Sequence, residues 1–134
     1  MRKVIIAACL GLVVGVVLTV AAVVFYQQRE LERRVFAFGM SASQIQPGDT
    51  EGSVRARFGR PQDIVDARAE ADRLGSQCRD RAAARQLTYE ADISCVDLFG
   101  TRPPQYLLFV CLNDAGRVIR ADTTIMYFAA EHSR

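Results

Sequence analysis

The spacing of apolar residues changes character twice along the chain. From Val4 to Tyr26, "VIIAACLGLVVGVVLTVAAVVFY", no charged residue occurs. As a helix rising ~1.5 Å per residue, this run crosses a ~30 Å hydrocarbon layer with some tilt. It exceeds the ~7–15 apolar residues of a cleaved export signal, and the small pair Ala21-Ala22 is followed by more apolar residues. An uncleaved membrane anchor over 1–28 is therefore expected. Too few apolar residues precede Cys9 for a lipoprotein signal, so Cys9 reads as a lipid-facing thiol.

A helical period follows. In "QQRELERRVFAF", Leu31, Val35 and Phe38 share one stripe, which predicts a juxtamembrane helix ending at Gly39, with "MSASQIQPG" as linker. This segment spans 29–44. Pro47-Gly48 marks a turn, and Thr50 is placed to cap a short helix that carries Glu51 in its first turn. Val54 and Phe58 lie one turn apart on its face. Gly59 stands where a left-handed C-terminal cap belongs, and Pro61 forbids continuation. Asp63 to Gln86 is rich in alanine and charge, and predicts a second helix broken near Gly75-Ser76.

The period then falls to two. "LTYEADI" places Leu87, Tyr89, Ala91 and Ile93 on one face and Thr88, Glu90 and Asp92 on the other, as in a half-buried strand. "QYLLFVCL", Gln105 to Leu112, is apolar on both faces, as a central strand is. "NDAG" predicts a hairpin turn, and "RVIRADTTIMYF" a third strand with Ile119, Ala121, Ile125 and Tyr127 inward. The fold class is α+β: a transmembrane helix, then an α-α-β-β-β domain over 45–128 with both helices on one face of a three-stranded antiparallel meander. A tail occupies 129–134.

Charge narrows the function. Beyond Gln27 acidic and basic residues balance, and Lys3 is the only lysine. A near-neutral domain without a long basic block argues against nucleic-acid binding. Arginines flank the apolar run on both sides, so the positive-inside rule is close to balanced. The "MRK" start before an apolar run, and three cysteines in a small domain, favour export of the C-terminal part.

Chemistry has few candidates. The glycines around Gly48, Gly52 and Gly59 lack the lysine and spacing of a P-loop, and read as helix punctuation. Arg55, Arg57 and Arg60 form a candidate interaction or anion patch, set against a plain solvated helix end. The one histidine, His132, lies in the tail. Cys78, Cys95 and Cys111 lack the C-x-x-C spacing of zinc sites and dithiol enzymes. No catalytic residue, metal site, cofactor or small-molecule substrate is expected, and Glu90 and Asp92 read as solvated surface. In an oxidising compartment two of the three domain cysteines pair. A first strand reaching Phe99 favours Cys95–Cys111; one ending at Ile93 favours Cys78–Cys111, because Cα atoms beyond ~7 Å cannot be bridged.

The stretch "IQPGDTEGSVRARFGRP" resembles the I-x-x-G-M-T-x-x-x-V-x-x-x-L-G-x-P signature of the SmpA/OmlA (BamE-like) family of small bacterial envelope proteins. It matches at Ile45, Gly48, Thr50, Val54, Phe58 in the leucine place, Gly59 and Pro61, with Asp49 replacing methionine. Leu87 and Tyr89 in "RQLTYEA", and the "YLLFVCLNDAGRVIRA" hairpin, resemble the family's strands. The resemblance implies an α-α-β-β-β scaffold, a Gram-negative envelope location and a non-catalytic, protein-binding role in envelope or outer-membrane assembly. Combined with the anchor, it places the chain in the inner membrane, with its domain in the periplasm and an envelope protein as partner. The alternatives are an inhibitor-like domain docking on an enzyme through its sheet, and a thiol-dependent redox protein.

Overall fold

The computed structural model describes residues 1–69, 78–93 and 104–126. Two compact units divide the chain, Met1–Arg33 and Arg34–Arg134. Helix α1, Arg2–Ser43, supplies all the regular structure of the first unit, and its turns from Arg34 onward belong to the second. Its N-terminal part is long and apolar enough to cross a membrane, with Leu10, Val13, Val17 and Leu18 all exposed and Cys9 a free thiol.

The helix does not end at Gly39. It continues to Ser43 because residues on either side of that glycine are needed in the core: Phe38 packs against it, and Ala42 and Ile45 lie within it. Their burial outweighs the roughly 1 kcal/mol that glycine costs in a helix. The end tightens through N–H donation from Gln44 to Ser41 and from Ile45 to Ala42.

Helix α2, Glu51–Phe58, is capped as its sequence implies. The Thr50 hydroxyl accepts from Ser53 N at 3.1 Å. Gly59, at φ +79°, donates its N–H to Arg55 O at 2.8 Å. One short helix is marginal alone; burial of Val54 and packing of Phe58 hold it on the sheet.

Four antiparallel strands follow in the order β1-β2-β3-β4: Asp63–Asp66, Arg85–Glu90, Gln105–Leu112 and Val118–Met126. β1 corrects the expected second helix. Alanine and charge favour helix locally, but Pro61 delivers the chain extended. Gln62 then donates to Thr88 O, and Ile64 registers with Leu87. The Asp66 carboxylate accepts from Arg68 N and Ala69 N, turning the chain away from the ladder. The remainder of the expected helix falls partly at 70–77, outside the described residues; 78–84 is irregular.

β3 is central and buried on both sides. Leu108, Val110 and Leu112 face the helices and form the main core with Leu87, Tyr89, Val54, Ala42, Ile45 and Val118. On the opposite face, Cys111 joins Cys78, Ala67 and Ala83 in a smaller cluster. The Asn113–Gly116 turn closes as expected, with Asn113 Oδ1 accepting from Ala115 N and Arg117 N. A bulge at Cys111/Leu112 then separates two residues expected on one face. Ala121 packs on the main core, whereas Ile119 packs on the cysteine cluster. Ile125, also expected inward, is 45% exposed, and Tyr127 lies outside the described residues.

The loop before α2 is stitched to the start of β4. Gly48, at φ +96°, donates to Val118 O at 2.7 Å, and Val118 N donates to Asp49 O. The Asp49 carboxylate also accepts from Gln46 N at 2.9 Å. Asp49 thus closes this loop through its side chain as well as its backbone.

Candidate functional site

The motif residues are largely structural. Ile45, Val54, Leu87 and Tyr89 are buried in one core, Phe58 packs on it, and Pro61 is buried beside the α2 terminus. Above this core lies a groove of about 640 Å³. Its aromatic lining is a short stack: the Phe38 and Phe58 rings meet edge-on at 5.7 Å, and Phe58 meets Tyr89 at 5.4 Å. Such spacing suits aromatic pairs and leaves apolar ring surface toward the groove.

The three arginines expected to act together separate here. Arg55 lies over Glu51 and pairs with it at 2.7 Å, while Arg85 takes the other Glu51 oxygen at 2.6 Å. That carboxylate binds α2 to β2, and Arg55 is committed to it. Arg57 and Arg60 instead line the groove, are exposed, and make no ion pair among the described residues. The fold adds Arg34 from α1, whose guanidinium donates to the carbonyl of Asp92 at 3.2 Å. Arg34, Phe38 and Ser41 were legible only as a three-to-four spacing on one helix face; nothing in sequence indicated that this face meets the end of α2.

Glu90 and Asp92, from the end of β2 and the residues after it, line the same groove. They stay at the surface, Asp92 exposed and Glu90 half-buried, and put negative charge in the groove that Arg57 and Arg60 also line. Tyr89 is 3% exposed, and its hydroxyl has no hydrogen-bond partner among the described residues. Burial raises its phenol pKa above the ordinary 10.0, with Arg55 lowering it and Glu51 raising it to a lesser extent.

The disulfide joins Cys78 to Cys111, with Cα atoms 5.7 Å apart. The choice follows strand length: β2 ends at Glu90, and Gln86 is the residue opposite Cys111. Cys78 docks on that pair, its N–H donated to the buried Gln86 Oε1 at 3.2 Å. Cys95 lies outside the described residues. Among the described residues no three His, Cys, Asp or Glu side chains gather as metal ligands do.

The groove can bind by cation, aromatic face and carboxylate together. No protein-family model, curated protein or solved structure matches this chain.

Proposed function

We propose that this chain is a single-pass protein of the bacterial inner membrane whose C-terminal domain faces the periplasm. There it binds another envelope protein and performs no catalysis of its own. The observation that carries this reading is the buried Cys78–Cys111 disulfide in a domain that follows a membrane-length apolar helix. Bridges of this kind persist in oxidising compartments and are rare in the cytosol. The resemblance of Ile45–Pro61, with Leu87 and Tyr89, to the SmpA/OmlA family supports the same location and a role as a binding scaffold in envelope assembly. The groove supports binding, because it presents recognition groups on rigid elements.

Two fusions at Arg134 test this. A reporter active only after export gives signal, and one active only in the cytosol gives none. The reverse result removes the envelope role.

A further inference from the structure

We propose that the groove between α1, α2 and the end of β2 receives an acidic segment of the protein partner. That segment is an extended peptide with an apolar side chain flanked by carboxylates. This rests on the reading of the domain as an interaction module and names the chemistry of what it binds.

The cations set the polarity. Arg57 lies in the last turn of α2, and Arg60 follows the Gly59 cap, so both are carried by the end of one helix and line the groove. Neither has an ion pair among the described residues, while neighbouring Arg55 is satisfied by Glu51. An unpaired arginine fork matches a carboxylate in two parallel bonds. In the same groove, the half-buried Phe38 and Phe58 offer ring surface for one apolar side chain.

The carboxylates distinguish a peptide from an anionic bilayer. Glu90 and Asp92 line the same groove, so a sheet of lipid phosphates that approached Arg57 and Arg60 would also meet two carboxylates. A peptide carries both signs of polarity: its carboxylates pair with the arginines, and its backbone N–H groups donate to Glu90. The concave aromatic surface also fits a single side chain better than a flat headgroup layer.

The test uses the full chain in nanodiscs of zwitterionic lipid, with short fluorescent peptides built around a central Phe or Leu. One has Asp and Glu flanks, one Gln and Asn, one Lys. At about 0.15 M salt, the acidic peptide binds roughly tenfold more tightly than the neutral one, which two rim ion pairs supply. Arg57→Gln with Arg60→Gln removes that preference, and Arg57→Glu with Arg60→Glu transfers it to the Lys-flanked peptide. Both variants keep the disulfide and the melting temperature, since these side chains are exposed. Equal binding of the three peptides overturns the proposal, as does an acidic preference that survives both arginine changes. Displacement of the acidic peptide by vesicles rich in anionic lipid, with wild-type protein binding those vesicles through Arg57 and Arg60, assigns the site to membrane instead. In each of these cases an exported reporter at Arg134 leaves the envelope reading standing; a cytosolic one removes it independently.

Discussion

Opening the Cys78–Cys111 bridge should reduce the domain to marginal stability. The two cysteines are separated by 33 residues, so the bridge removes the freedom of a loop of that length from the unfolded chain. The chain-entropy relation for such a loop gives about 12.5 cal/mol/K, or about 3.7 kcal/mol at 25 °C. The unfolded ensemble is more compact than an ideal chain, so the figure is an upper one. Small domains hold about 5–15 kcal/mol in total. At about 4 °C or more per kcal/mol, the loss corresponds to a fall in melting temperature of about 15 °C. The assay is thermal unfolding of the full chain in detergent, followed by near-ultraviolet circular dichroism. Wild type is compared with Cys78→Ala/Cys111→Ala, because alanine adds no polar atom to the buried cluster that the pair forms with Ala67 and Ala83. Thiol titration in denaturant supplies the chemical control. Of the four cysteines in the chain, the bridged pair reacts only after reduction. A melting temperature within about 5 °C of wild type refutes the loop-entropy reasoning. Finding that pair already reduced in protein taken from cells refutes the oxidising compartment.

Two further outcomes follow from local structure. Thr50→Ala loses the cap on Ser53 N and costs about 1 kcal/mol in urea unfolding, whereas Thr50→Ser retains it; Gly59→Ala, forced to φ +79°, costs about 1–2 kcal/mol in the same experiment. Tyr89→Phe changes the alkaline limb of stability. Because burial raises the folded-state phenol pKa above 10.0, its contribution is complete below about pH 10 and is lost as pH rises through the folded value. The phenylalanine variant therefore holds its stability better than wild type as pH rises above about 10, and loses little at neutral pH because the hydroxyl has no partner among the described residues; identical alkaline slopes in the two proteins contradict this.

Local chemistry determined much of this protein directly. A charge-free run of membrane length, a Thr50 cap with Gly59 and Pro61 behind it, an alternating strand, an apolar central strand and an Asn113–Gly116 turn each draw on nearest neighbours or on a fixed period. These elements appear where their patterns lie, except that the alternating strand runs from Arg85 to Glu90 and stops short of Ile93. Where packing competes with local preference, only the tertiary structure decided. Gly39 stays helical because Phe38 and Ala42 are required in the core. Asp63–Asp66 becomes a strand because Pro61 and the free edge of β2 outweigh the helical composition of that region. The bulge moves Ile119 to the far face.

The groove belongs wholly to this second category. Arg34, Arg57 and Glu90 come from three separate elements, and the period of none of them records which neighbour its face will meet. The disulfide shows the same division most plainly. The sequence limited the domain's pairing to three cysteines, but the choice of Cys78 for Cys111 depended on β2 ending at Glu90. Strand length and register are fixed by hydrogen bonds and packing between segments distant in sequence, so they exist only once the sheet has formed.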